Sequence, residues 1–160
     1  MKLVIFDLDD TLFDTTGQLG NDLSMEKLDQ ITPLPGAIEM LEKLKAVKVL
    51  VTRTSRGVER QEKKIDVLGI RKFFDKIIMT ADDDSKRGAF EIIINSANLP
   101  LKDIFVVGNR IDAEVRYGKE LGLKTILIKR GKYENLKPKD DYEKPDYTIT
   151  DLRELFEIIR

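Results

Sequence analysis

Six short apolar runs, separated by amphipathic segments, constrain the fold of this 160-residue chain more than any other feature. The runs lie at residues 2–6, 47–51, 76–79, 104–107, 125–128 and 147–149. Alternation of this kind is typical of parallel β-α units. Several runs, such as VIF, VLV and FVV, are apolar on both faces, as expected of strands that helices cover on each side. The pattern therefore predicts one α/β domain over residues 1–160, built on a doubly wound, mostly parallel sheet with helices on both faces.

Helical patterns fill the intervals between these runs. They predict helices at residues 35–46, 57–68, 86–97, 113–121 and 151–159. Asp151 is the predicted N-cap of the last helix, and Asp84 or Ser85, at the end of the acidic run DDD, is expected to cap the third. Residues 14–21 and 130–145 are rich in turn-forming residues and predict loops, the second a surface excursion.

The absence of Cys and His excludes several chemistries. The chain offers no thiolate nucleophile, no Ser-His-Asp relay and no zinc site of the usual Cys/His kind. Carboxylates, Lys, Arg, hydroxyls and backbone amides remain, and such oxygen-rich sets suit Mg²⁺. The composition therefore favours a reaction that uses carboxylates together with a hard cation such as Mg²⁺.

Charge and hydropathy bear on partners and location. The 28 basic and 29 acidic residues are mixed along the chain, so the sequence predicts no binding to nucleic acid or to a membrane surface. No apolar run reaches the length of a signal peptide core or a membrane span. We expect a cytoplasmic protein, and the 36% charged residues resemble a thermophile's composition.

Polar residues follow the apolar runs at the edge where doubly wound sheets bind ligands, which is the crevice outside the carboxyl ends of the strands. Such residues in phosphoryl-transfer enzymes hold Mg²⁺ and the phosphoryl oxygens. The candidate metal ligands are Asp7, Asp9, Asn109, Asp112 and Glu114. The candidate substrate-binding residues are Thr11, Thr52, Arg53 and Lys86.

Asp7 and Asp9 are two residues apart, which is the period of a strand, so both can face the same side of the sheet. This spacing permits a division of labour. Asp7, ionised and bound to the metal, can attack phosphorus. Asp9, if held protonated, can protonate the leaving oxygen and then take a proton from the hydrolytic water.

These motifs resemble the signatures of the haloacid dehalogenase (HAD) superfamily over essentially the full length of the chain. DLDDTL is similar to the DxDxT signature, and VLVT, SKRGAF and VVGNRIDAE follow in the family's order. The resemblance implies a Rossmann-like core and a Mg²⁺-dependent phosphatase. It also implies that Asp7 is the nucleophile, Asp9 the acid and base, and that Thr52 and Lys86 bind the phosphate.

Three residues depart from the family's pattern. Asn109 stands where relatives usually have Asp, so it supplies a neutral oxygen to the metal site. Asp10 stands where many relatives have Gly. Arg53 stands where many relatives have Asn, and it adds positive charge beside the phosphate, where it is suited to a further anionic group of the substrate.

The segment from Asp14 to Pro33 is too short for the helical cap domain that many relatives insert after the first motif. We expect a minimal cap-like insert at residues 14–33, in which SMEKLDQI forms a short helix. An open site of this kind predicts either a phosphorylated small molecule or an exposed macromolecular phosphate as substrate, and a possible homo-oligomer that closes the site.

Other functions are compatible with parts of the pattern. A dehalogenase of the same fold is disfavoured, because a halide leaving group does not need the proton that Asp9 would supply. A receiver-type signalling domain would place its phosphoacceptor Asp after a central strand, where this chain has Thr52. A catalytically weak binding or regulatory protein stays open because of Asn109.

Overall fold

A computed structural model describes residues 1–160 and contains one sheet of six strands, all parallel. The strands are β1 (Leu3–Phe6), β2 (Val47–Arg53), β3 (Lys76–Thr80), β4 (Ile104–Gly108), β5 (Lys124–Ile128) and β6 (Tyr147–Ile149). Each lies within one or two residues of a predicted apolar run. The predicted α/β sheet is therefore confirmed.

Six α-helices connect or follow the strands. They are α1 (Thr15–Leu19), α2 (Ala37–Lys43), α3 (Val58–Val67), α4 (Asp83–Ala97), α5 (Arg116–Glu120) and α6 (Leu155–Ile158). Short 3₁₀ turns lie at Glu26–Gln30, Arg71–Phe73, Leu101–Asp103, Asp141–Glu143 and Leu152–Glu154. No helix combines the length and the apolar character that crossing a bilayer requires.

Helices cover both faces of the sheet, and the side chains of β1 alternate between the two layers. Val4 and Phe6 belong to a core cluster of 24 buried residues, which includes residues of α2 and α6. Leu3 and Ile5 belong to a cluster of 10 buried residues on the other face, against α4. Strands buried on both faces explain why the apolar runs are continuous.

The strand order β3-β2-β1-β4-β5-β6 determines where a ligand can bind. The chain winds outward from β1 to β3, then crosses back to β4 on the other side of β1 and winds outward again. Ligands in such sheets bind where this winding direction reverses, outside the carboxyl ends of the two central strands. Asp7 follows β1 directly, and its N–H donates to the carbonyl of Val107 in β4, 3.0 Å away.

Some helices differ from their predicted form. Residues 14–21 contain α1, whose N-cap Asp14 accepts a hydrogen bond from Gly17 N–H, so this segment is not a loop. The predicted helix at 113–121 begins as a π-helical turn, Ile111–Val115, before α5. The N-cap of α4 is Asp82, which accepts from Ser85 N–H, so the prediction of Asp84 or Ser85 was wrong.

Two local predictions are confirmed. Asp151 caps the 3₁₀ turn that leads into α6, and Glu154 completes a capping box with it. SMEKLDQI forms the 3₁₀ turn Glu26–Gln30 within the insert at residues 14–33.

Candidate active site

A cavity of about 610 Å³ opens at the carboxyl ends of β1, β2 and β4. Its walls are polar: only 3 of the 23 lining residues are hydrophobic. The basic lining residues are Arg53, Arg56, Arg60, Lys64, Lys86, Arg110 and Lys132, and the acidic ones are Asp7, Asp9, Asp10, Asp22, Asp83 and Glu114. A cavity lined by both charge signs is suited to a small, highly charged ligand.

Asp7, Lys86 and Glu114 form a buried ion cluster at the floor of the cavity. The Lys86 ammonium donates to Oδ1 of Asp7 at 2.8 Å and to Oε1 of Glu114 at 2.6 Å. Thr11 donates to the other oxygen of Asp7, Oδ2, at 3.1 Å. The Lys86 and Glu114 side chains are only 3% and 4% exposed, so these charges lie largely out of water.

The surroundings raise the pKa values of both Asp7 and Lys86 in this cluster. Burial and the charge of Glu114 raise the pKa of Asp7 to about 7, although Lys86 opposes the shift. Burial alone would lower the pKa of Lys86, but Asp7 and Glu114 together raise it above its usual value. Lys86 therefore stays a cation and balances the acids.

Local backbone geometry brings Glu114 into this cluster. Glu114 lies in the π-helical turn that follows β4, and π-helical turns occur often at functional sites. Its side chain passes so close to Gly108 that a Cβ on that residue would lie 2.4 Å from Glu114 Cγ. Gly108 is therefore required for this packing.

Asp9 lines the same cavity but interacts with α3. Its Oδ1 accepts from Lys64 Nζ at 2.8 Å and from Thr15 Oγ1 at 2.9 Å. Its Oδ2 accepts from Gln61 Nε2 at 3.1 Å. The Asp9 side chain is 36% exposed, whereas Lys64 is 6% exposed, so Asp9 sits between a buried cation and the open cavity.

The surroundings of Asp9 differ from the expectation that it is held protonated. Burial would raise the pKa of Asp9, but the charge of Lys64 and the hydrogen bonds from Lys64, Gln61 and Thr15 outweigh that effect and lower the pKa below its usual value. Asp9 is therefore a carboxylate here, which is the form of a base.

Thr11 and Thr52 are fully buried and do not line the cavity. Thr11 holds Asp7, so it positions that carboxylate in place of the predicted contact with substrate. Thr52 Oγ1 accepts from Gln61 Nε2 at 2.7 Å and is thereby linked to Asp9. Its role in phosphate binding stays a prediction.

The structure separates the candidate metal ligands into two groups. Asp7, Asp9, Asn109 and Glu114 line the cavity together. Asp112 does not line it, because both of its oxygens accept from Arg110 at 3.0 Å. Asp112 therefore lies apart from the other candidate ligands, and its place in the metal site stays a prediction.

The remaining oxygens fit Mg²⁺ in their chemistry. Oε2 of Glu114 is buried and has no hydrogen-bond partner, and the Asn109 side chain makes no hydrogen bond. Carboxylate and amide oxygens are the ligands that a hard cation prefers. No group of three or more acidic side chains that could hold a metal ion is present, so a Mg²⁺ site here would depend on the two carboxylates of Asp7 and Glu114 and the neutral amide of Asn109.

The insert at residues 14–33 forms part of the cavity wall and is fastened to α3. The buried guanidinium of Arg60 donates to three backbone carbonyls of the insert, those of Asp22, Leu23 and Ser24. Lys63 donates to the carbonyl of Met25 at 2.9 Å and pairs with an aspartate of the insert. These contacts hold the insert against α3, where its residues line one side of the cavity.

Replacing Arg60 by Ala should loosen the insert without unfolding the sheet, because three carbonyls would lose a charged donor. We expect amide hydrogens of residues 22–31 to exchange roughly tenfold faster, as the loss of a charged hydrogen bond predicts. Hydrogen-exchange mass spectrometry measures this, with Glu59→Ala, an exposed change on the same helix, as control. Exchange that is unchanged in the insert would show that Arg60 does not fasten it.

Several site residues were missed at the level of sequence. Lys64 and Gln61 lie on the buried face of α3, and nothing in their spacing distinguishes them from polar residues on a solvated face. Lys132 and Tyr133 belong to the predicted surface excursion at 130–145, yet they line the cavity. That prediction was therefore only partly right.

Comparison with known proteins identifies relatives of this chain. A family model described as HAD-hydrolase-like matches residues 84–155. A protein of Methanocaldococcus jannaschii named glyceraldehyde 3-phosphate phosphatase is 31% identical over 138 residues, and one of Methanopyrus kandleri with the same name is 28% identical. Both alignments cover 84% of this chain but 59% of the relative, so the chain spans about three fifths of their length.

Solved structures share the fold. YfnB from Bacillus subtilis, described as a HAD-hydrolase and solved bound to magnesium, superimposes with a TM-score of 0.78 at 16% identity and covers 100% of this chain and 99% of that one. The L-2-haloacid dehalogenase from Xanthobacter autotrophicus gives 0.72 at 13% identity, covering 100% and 98%. At these identities the likeness concerns the fold alone.

Proposed function

Because the chain belongs to the haloacid dehalogenase superfamily, we propose that it is a Mg²⁺-dependent phosphatase that hydrolyses phosphate monoesters through an aspartyl-phosphate. The observation that carries the proposal is the fixed position of Asp7. One of its oxygens accepts from Lys86 and the other from Thr11, on the floor of a cavity that a small molecule can enter. Two curated relatives bear the name of a phosphatase.

In the first step, a carboxylate oxygen of Asp7 attacks phosphorus and the bond to the ester oxygen breaks. Lys86 lies 2.8 Å from Asp7, so its ammonium can also contact the phosphoryl oxygens as their charge redistributes. Mg²⁺, when bound by Asp7, Asn109 and Glu114, supplies positive charge that offsets the repulsion between carboxylate and phosphate. The product of this step is a phosphoryl group on Asp7.

Asp9 acts as the general acid and base in the proposed reaction. As a carboxylate beside the cavity, it can take a proton from the water that attacks the aspartyl-phosphate. Protonation of the leaving oxygen in the first step requires Asp9 to carry a proton, and a phosphoryl group entering beside it adds negative charge that favours the protonated form. Lys64 and Gln61 hold its carboxylate in place.

Replacing Asn109 by Asp should strengthen Mg²⁺ binding, because it adds a charged ligand to a site that has only two carboxylates. We expect about a tenfold lower Kd for Mg²⁺. This corresponds to only a small fraction of the Coulomb energy between two opposite charges at short distance. Isothermal titration with Mg²⁺ alone measures it, and Asn109→Ala should weaken binding. Equal Kd values in all three proteins would remove residue 109 from the metal site.

The other functions have less support. A dehalogenase would need no proton at its leaving group, whereas Asp9 is held beside the cavity by three donors. The position at which the sequence analysis placed the phosphoacceptor of a receiver-type domain is Thr52, a buried residue near the end of β2. The cavity of about 610 Å³ favours a small phosphorylated molecule over a macromolecule. The cytoplasmic location and a homo-oligomer stay predictions.

Turnover of p-nitrophenyl phosphate, measured with Mg²⁺ and again with excess EDTA, tests the proposal. We expect phosphate release that depends on Mg²⁺. No release in either condition would favour the binding or regulatory protein instead, and release that EDTA does not change would contradict the role of the metal.

A further inference from the structure

Four basic side chains line the outer part of the cavity, away from the contacts around Asp7 and Asp9. They are Arg53, Arg56, Arg110 and Lys132, and together we name them the basic rim. Arg56 and Lys132 are exposed, whereas Arg53 and Arg110 are partly buried. The rim therefore lies between the floor of the cavity and solvent.

Two groups fix the geometry of the basic rim. Arg53 and Arg110 both donate to one oxygen of Asp83, at 3.1 and 3.3 Å. The Arg110 guanidinium lies 4.5 Å from the ring centroid of Tyr133, and Lys132 Nζ lies 4.9 Å from the same centroid. A single carboxylate and a single ring thus hold three of the four cations together.

The basic rim keeps an excess of positive charge. Arg110 pairs with Asp112 through two hydrogen bonds and shares Asp83 with Arg53. Arg56 and Lys132 pair with no carboxylate at all. Four cations therefore face two carboxylates, and at short range such like charges repel one another unless an anion joins them.

At the floor of the cavity, unlike at the basic rim, every cation is paired with a carboxylate. Lys86 is matched there by Asp7 and Glu114, and Lys64 is matched by Asp9. The floor is therefore equipped for the reacting phosphoryl group. The unmatched cations of the rim are free for a different part of the same ligand.

We propose that the basic rim binds a second anionic group of the substrate. The inference rests on the proposed phosphatase function and adds the substrate class: a small phosphate monoester that carries a carboxylate or a second phosphate at its other end. Arginine donors are well suited to either group. The proposed substrate class therefore differs from glyceraldehyde 3-phosphate, the molecule in the names of the curated relatives, which has an uncharged aldehyde at that end.

Binding to the Asp7→Asn variant tests the proposal without turnover. Isothermal titration with Mg²⁺ present compares two matched pairs, 3-phosphoglycerate with glycerol 3-phosphate, and fructose 1,6-bisphosphate with fructose 6-phosphate. In at least one pair, the ligand with the second anionic group should bind about tenfold more tightly, as one charged hydrogen bond predicts. The pair that shows it identifies the group as carboxylate or phosphate.

Variants in the Asp7→Asn background assign the preference to the rim. Arg53→Gln and Lys132→Gln should each lower the ratio of affinities at least about threefold. Lys137→Gln, an exposed change on the same segment as Lys132, should leave the ratio unchanged. Equal affinities within both pairs, or a ratio that neither rim variant alters, would overturn the inference. A wild-type protein that releases no phosphate would instead contradict the proposed function and leave the binding result standing.

Discussion

Replacing Asp7 by Asn should abolish phosphate release, with a fall in kcat on the order of 10⁴-fold or more, as removal of a covalent nucleophile predicts. An amide keeps the shape of the side chain but is a far weaker nucleophile than a carboxylate. Turnover of p-nitrophenyl phosphate with Mg²⁺ measures the loss.

The protein should stay folded when this change is made. Asn at position 7 can still accept a hydrogen bond from Lys86, and Lys86 keeps its pair with Glu114. Asp84→Asn, a change at an exposed residue outside this cavity, is the matched control and should retain full activity. Activity that survives in Asp7→Asn would remove Asp7 from the mechanism.

Replacing Lys86 by Met should destabilise the fold by about 3 to 5 kcal/mol, the range found when one partner of a buried ion pair is removed. The change leaves two acids, Asp7 and Glu114, buried without the cation that pairs with both of them. Urea denaturation without Mg²⁺ measures the free energy of unfolding, and Lys102→Met, at an exposed position, is the control.

A second substitution separates charge from packing in this experiment. If the loss arises from unpaired carboxylates, adding Glu114→Gln to Lys86→Met should restore a large part of the stability, because only one buried acid then remains. A double variant that is less stable than Lys86→Met alone would show that the ion cluster is not the cause.

The sheet could be predicted from sequence because its strands are buried on both faces. Continuous apolar runs such as those of β1 and β4 have few alternatives in a chain of this size, and the carboxyl ends of these strands then bring Asp7 and Asn109 together. Asp7 and Lys86 were both assigned to the site by resemblance to the family's motifs, and in the structure they are in contact. The short helices were harder to predict, because a helix of five residues, such as α1, is too short to show a periodic pattern.

The rest of the site depends on geometry that the sequence does not reveal. The π-helical turn after β4 decides that Glu114 faces the cavity while Asp112 faces Arg110, and both residues were equal candidates before. Lys64 determines the charge state of Asp9 across 55 residues of sequence, through the packing of α3. Such long-range contacts between polar residues leave no periodic signal.

The central claim is that Asp7 becomes phosphorylated during turnover. A reaction quenched with acid and then reduced with borohydride tests it most directly, because borohydride reduces an acyl phosphate to the alcohol. Mass spectrometry of the N-terminal peptide should then find homoserine at position 7 in the wild type, and only when both substrate and Mg²⁺ were present. A protein that releases phosphate but shows an unmodified Asp7 under these conditions would contradict the claim.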